Sequence, residues 1–135
     1  MVTEDSDLLA YGVDRVFFKM DPSGNGTEVD LKYLSQCPDY QDRSNPNFTF
    51  CKEMLLKACI LSGCDYHAGI PSVGYKTALQ LVKDHEGSIE NLTLALESSG
   101  KLKNRDEYLE LFKRAYLTFK CQIVYDPREK RERFL

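Results

Sequence analysis

Three carboxylates stand out by type and spacing: Asp5 and Asp7, two residues apart, and Asp65, in Ser62-Gly63-Cys64-Asp65-Tyr66. Close carboxylates repel unless a cation sits between them. Mg²⁺ takes such hard oxygen donors while keeping several waters. The pair lies at an expected strand-to-helix junction, and strand ends in open α/β sheets project side chains into a ligand crevice. The same Asp-Ser-Asp before an apolar run would also make a helix N-cap, stabilising by about 1 kcal/mol. Glu4 points the other way if the strand alternation holds, so it is left out of the set.

A second chemistry follows Asp65 directly. Gly69-Ile70-Pro71-Ser72-Val73-Gly74-Tyr75-Lys76-Thr77-Ala78 places two apolar anchors around a tight turn, then opens a helix at Gly74. Free amides and the positive helix end there suit an anion. Gly74 allows close approach, Lys76 adds a full charge, and Ser72, Tyr75 and Thr77 flank the turn. Such a turn grips a nucleic-acid backbone without reading bases. A plain helix–turn–helix packing corner would use the same Pro and Gly for the turn alone. Asp21-Pro-Ser-Gly-Asn-Gly26 imitates the start of a calcium loop, but Lys32 stands where a bidentate Glu belongs, so it reads as a hairpin turn. His67 and His85 have no ligand-like neighbours and read as surface or structural residues.

The elements that must position these groups follow from pattern. Met1–Thr3 reads as the last residues of a strand, Ser6–Tyr11 as a short helix stopped by Gly12, and Arg15–Met20 as a strand. Residues 21–26 form the turn and 27–30 the return strand, with Asp30 capping a short helix through Ser35. Residues 36–47 read as a loop. Helices are expected at Phe48–Leu61, Gly74–His85, Ser88–Leu96 and Asp106–Cys121. Gln122–Tyr125 reads as extended, and the charged tail Arg128–Leu135 as flexible.

The 135 residues are 42% hydrophobic and 29% charged, enough for one folded domain or a large part of one. No apolar run approaches the roughly 20 residues of a membrane span. The first residues are acidic, so no secretory signal is read there. The five cysteines contain no CxxC pair, which argues against zinc, and their odd count favours a reducing compartment. The net charge is −3. Residues 1–30 carry seven acids (Glu4, Asp5, Asp7, Asp14, Asp21, Glu28, Asp30) against Arg15 and Lys19, an edge suited to cations.

Thr3-Glu4-Asp5-Ser6-Asp7-Leu8-Leu9, Leu61-Ser62-Gly63-Cys64-Asp65-Tyr66 and the glycine turn together resemble the structure-specific 5′ nuclease superfamily (flap endonuclease / XPG-like). Lys19-Met20-Asp21, then Gly24-Asn25-Gly26 and Glu28, bring the chain nearest its exonuclease-1 branch. The resemblance implies an α/β fragment, mostly helical. Residues 1–35 would end a parallel-sheet nuclease core. Residues 48–121 would form a helical DNA clamp with a helix–two-turn–helix near 59–83, and 122–135 a short extended segment and tail. It implies Mg²⁺ ligation by Asp5, Asp7 and Asp65 within a two-ion centre, roughly 4 Å between ions, where Mn²⁺ can substitute. It implies K⁺ held by the carbonyls of Gly69 and Val73 and by Ser62. Ser72 departs from the turn's commonest form, where Gly is frequent.

The implied substrate is double-stranded DNA with a 5′ end, nick, gap or flap, in repair, in the nucleus, with no membrane. The implied partner is the N-terminal half of the nuclease core, which supplies the other metal acids; without it this stretch is expected to be catalytically incomplete. The competing reading is a non-catalytic helix–hairpin–helix module that only binds DNA, its acids serving as caps.

Overall fold

The computed structural model describes residues 1–42, 45 and 47–134. It opens with α1 (Asp7–Ala10), then the antiparallel hairpin β1 (Arg15–Phe18) and β2 (Thr27–Asp30). Phe17 also forms a parallel bridge with Val2, with its N–H donating to the Met1 carbonyl at 2.8 Å. Residues 1–3 are thus strand-like, as expected, and run alongside β1. The Asp21 turn is a hairpin turn, its carboxylate accepting from the amides of Ser23 and Asn25. Asp30 caps the following helix by accepting from the Lys32 amide, though that helix (Leu31–Gln36) is 3-10 rather than α.

The core is built around α2 (Lys52–Ser62), which packs on α3 (Tyr75–Asp84), α5 (Arg105–Lys120) and α1. Leu55, Leu56, Ala58, Ile60 and Leu61 are buried along it. Full burial of each large aliphatic side chain contributes roughly 1.5–3 kcal/mol. α4 (Ile89–Ser98) is capped by the Ser88 hydroxyl, which accepts from the Asn91 amide, and buries Ile89, Leu92 and Leu96. In α5, Tyr108, Phe112, Ala115 and Phe119 make one inward stripe at helical spacing. No helix among the described residues is long and apolar enough to cross a membrane.

Two expectations need correction. The helix expected from Phe48 starts only at Lys52. Residues 48–50 stay outside the helix because the rings of Phe48 and Phe50 pack together, and Phe50 also packs on Tyr40 at 4.7 Å. The aromatic packing overrides the helical spacing. The tail is also ordered: β3 (Ile123–Asp126) pairs antiparallel with β4 (Arg131–Phe134) across the Asp126-Pro127 turn. The Asp126 carboxylate fixes that turn by accepting from the Arg128 amide and pairing with Arg133. The expected 36–47 loop contains a 3-10 turn at Pro38–Tyr40. Arg43, Ser44 and Pro46 of that loop, and Leu135 of the tail, lie outside the described residues.

Candidate functional site

Asp5 and Asp7 straddle the start of α1. The Asp5 carboxylate accepts from the Asp7 amide at 2.9 Å, and the Thr3 hydroxyl accepts from the Asp5 amide at 3.0 Å. Asp5 thus holds a local turn into α1, whose own N-cap, Ser6, makes no side-chain cap bond. Glu4 turns away and accepts from the Lys19 amide at 2.8 Å, which ties residues 1–5 to the end of β1.

Asp65 reaches the same neighbourhood from the far side of α2. Gly63 ends that helix at φ +106°, and a small turn closes with mutual backbone bonds between Cys64 and His67. Asp65 is exposed on this turn. The Asp7 carboxyl is raised above the usual carboxylate range, first by burial, then by the charges of Asp5 and Asp65. Asp7 therefore feels the charges of both Asp5 and Asp65, although Asp65 lies some way along the chain. Their crowded oxygens are of the hard class that Mg²⁺ takes, and a cation would relieve the repulsion at Asp7. Among the described residues, no three His, Cys, Asp or Glu side chains already stand in a ligating arrangement. Burial pushes the nearby Cys59 thiol up to about 11, with Asp7 and Cys64 adding to it. It is a packed thiol rather than a thiolate ligand.

The glycine turn is built from backbone. Gly69 takes φ +74° and lies against the end of α2, so close that a Cβ there would meet the Gly63 nitrogen at 2.6 Å. The Ile70 amide donates to the Leu61 carbonyl and the Val73 amide to the Ile70 carbonyl, each at 3.0 Å. Ile70 and Val73 are buried, as their anchoring role requires. Ser72 is held at φ +65°, which explains why Gly suits this position.

Gly74 caps α3 with open space at its Cα. No side chain caps α3, and the amides of Tyr75, Lys76 and Thr77 have no described partner. The carbonyls of Ser62, Gly69 and Val73 likewise accept no described hydrogen bond, while the Ser62 hydroxyl donates to the Cys59 carbonyl. Ser72, Gly74, Lys76 and Thr77 are all exposed. The Tyr75 hydroxyl is committed to that of Tyr40 at 2.9 Å, and burial holds its pKa far above the ordinary value. Beside the turn, Tyr40, Gln41, Lys76, Gln80 and Lys83 line a groove of about 530 Å³.

His67, read above as surface or structural, and other residues without a role in the motifs support both parts. His67 is buried and structural: its Nδ1 accepts from the Gly69 amide at 2.9 Å, and its ring meets Tyr108 edge-on at 4.9 Å. Burial lowers its pKa. Lys83 donates to the carbonyls of Asp39 and Gln41, tying the 38–41 turn to α3. Tyr11 and Tyr66 share a hydroxyl hydrogen bond of 2.6 Å. Apart from the His67–Gly69 bond, which spans two residues, these are long-range contacts that no local spacing signals.

Comparison with known proteins yields consistent matches. Residues 1–65 match the XPG I-region family. The chain is 43% identical over 130 residues to exonuclease 1 of Arabidopsis thaliana, covering 94% of this chain and 16% of that protein. It is 38% identical over 136 residues to exonuclease 1 of Xenopus laevis, covering 97% and 17%. It is 34% identical over 131 residues to exodeoxyribonuclease 1 of Saccharomyces cerevisiae, covering 97% and 18%. The chain thus spans less than a fifth of each of these relatives. Flap endonuclease-1 from Methanococcus jannaschii superposes with a TM-score of 0.58 at 21% identity, over 87% of this chain and 30% of that one. The Holliday junction-resolving enzyme GEN1, solved with product DNA and Mg²⁺, gives a TM-score of 0.59 at 19% identity, over 95% and 34%. At these identities the structural likeness is one of fold.

Proposed function

This chain belongs to the XPG-like 5′ nuclease superfamily, and from that premise we propose that it supplies one side of a Mg²⁺ centre and the duplex clamp of a DNA nuclease. The observation that supports the proposal most is the raised carboxyl of Asp7, to which the charges of Asp5 and Asp65 both contribute. These three would hold Mg²⁺, or Mn²⁺ in its place. Such ions activate water and stabilise the leaving oxygen in phosphodiester hydrolysis.

The glycine turn would hold the duplex. Its exposed amides at Tyr75, Lys76 and Thr77 suit phosphate oxygens, and Lys76 adds charge. The carbonyls of Gly69 and Val73, with Ser62, would hold K⁺ at its base. Tyr75 would contribute its ring rather than its hydroxyl, since that group is taken by Tyr40. Gripping by phosphate contacts alone is sequence-independent and salt-sensitive. The finer reading is a 5′-to-3′ exonuclease or flap endonuclease acting in DNA repair in the nucleus, on ends, nicks, gaps or flaps. In that reading, residues 1–35 end a parallel-sheet core, residues 59–83 of α2 and α3 form the helix–two-turn–helix, and the isolated chain has little or no turnover.

The test is fluorescence anisotropy of this chain with short duplex DNA, in KCl and in LiCl at equal ionic strength. Tighter binding in KCl is the expected result. Equal, weak binding in both salts would overturn the clamp. For the metal side, Asp65→Ala in the complete nuclease should abolish metal-dependent turnover.

A further inference from the structure

We propose that the Tyr11–Tyr66 hydroxyl pair, seated on Phe119, is a positioning device that fixes the spacing between the Asp7 and Asp65 carboxylates. The inference rests on reading those acids as metal ligands.

The difficulty it solves lies in α1. This helix is one turn of four residues with none of its side chains fully buried. Helices so short do not hold their place by their own hydrogen bonds. Leu9 and Ala10 of α1 pack against the core only partly buried. A cavity of about 370 Å³, lined by Ser6, Asp7, Leu9, Cys59, Ser62 and Cys64, lies between this helix and the end of α2. Without a strut across this gap, Asp7 could drift relative to the Asp65 turn.

Tyr11 and Tyr66 make the strut. Tyr11 ends α1, and its amide donates to the Asp7 carbonyl at 2.9 Å, so its backbone moves with Asp7. Tyr66 follows Asp65 directly, inside the turn closed by the Cys64 and His67 backbone bonds. Their hydroxyls meet at 2.6 Å. Both rings lie against Phe119, with centroids at 4.8 Å and 5.2 Å, and Phe119 is only 3% exposed on the inner face of α5. A hydroxyl pair near the surface is weak when it must order two free side chains. Here the rings are already ordered by Phe119, so the bond is free to set position.

The measurement is Mn²⁺ affinity, from the loss of the free-ion EPR signal, for the chain and for its Tyr11→Phe, Tyr66→Phe and double variants. Each keeps the ring on Phe119 and removes only a hydroxyl. The expected result is a Kd raised roughly three- to tenfold by either change. The double variant should be no worse than a single one, because one bond is lost in every case. Hydrogen exchange in metal-free protein should quicken at residues 7–11 and 64–67 together. Unchanged exchange in both segments, or wild-type Mn²⁺ affinity in the Phe variants while Asp65→Asn weakens it, would overturn the proposal. Failure of the underlying reading would look different: Asp65→Asn and Asp7→Asn would leave Mn²⁺ binding untouched while the Phe variants still quickened exchange.

Discussion

The glycine turn between α2 and α3 and the acidic edge around α1 carry the two parts of the proposed site by opposite means. The turn is made of backbone. Its useful groups are carbonyls and amides, fixed by two positive-φ glycines, buried Ile70 and Val73, and the end of α2, all within about one continuous stretch. The acidic edge is made of side chains. Asp7 opens a four-residue helix, Asp5 precedes it, and Asp65 comes from the turn after α2. A site built of backbone is complete once its local fold forms. A site built of side chains depends on distant contacts such as Tyr11–Tyr66.

The sharpest way to break this contrast is within the turn itself. Gly69→Ala places a methyl 2.6 Å from the Gly63 nitrogen at φ +74°. With backbone on the other side of the clash, it should destabilise the chain by about 3 kcal/mol. Gly74→Ala meets open space at an ordinary φ of −78°, and should stay within about 0.5 kcal/mol. Urea unfolding of both checks this. Equal losses would mean that the tight Gly69–Gly63 approach is not what holds the turn.

At the acidic edge, Asp5→Asn separates the turn bond from ligation. Asn makes the same side-chain turn bond as Asp, so the bond to the Asp7 amide survives and stability should change by less than about 0.5 kcal/mol. Removing one negative oxygen donor should weaken Mn²⁺ binding about tenfold. Intact Mn²⁺ binding with intact folding would make Asp5 a turn former and nothing more, in keeping with the module reading.

The contrast also explains what was legible in the sequence. The turn announced itself, because glycine, proline and flanking Ile70 and Val73 have meaning at fixed local offsets. The hairpin turn at Asp21 and the Asp30 cap were legible for the same reason. The start of α2 was not, since Phe50 was drawn out of helical register by Tyr40, a residue on another element. The extended β3 was legible, but its return strand β4 was missed because it is exposed along its length and its charges read as a solvated tail. The supports of the acidic edge were equally hidden. Nothing local pairs Tyr11 with Tyr66, or seats the His67 ring against Tyr108.

Ser72 offers a smaller, favourable change. At φ +65° a residue with a Cβ is strained, and Ser72→Gly should relieve about 1 kcal/mol, offset in part by the freer unfolded chain. Thermal melting should show a modest rise, and K⁺-dependent DNA binding should be retained. A fall in stability would mean that the serine side chain contributes something beyond its backbone shape.

The smallest effect distinguishes the regions by sign. His67 is neutral in the fold because burial lowers its pKa below 6.5, and its Nδ1 must stay unprotonated to accept from Gly69. The unfolded chain therefore binds the extra proton first. The His67 contribution is present above about pH 6.5 and is lost as pH falls towards the lowered value. Asp7 runs the other way. Its carboxyl is raised, so its contribution is present below the unfolded value of 3.8 and is lost as pH rises through the folded one. His67→Gln should flatten the mildly acidic side of the stability profile, and Asp7→Asn should add stability at neutral pH but not at the acid extreme. Denaturant midpoints measured across that range check both slopes. If the two variants changed the profile in the same direction, the buried imidazole and the crowded carboxylate would not be the opposed elements that their surroundings make them.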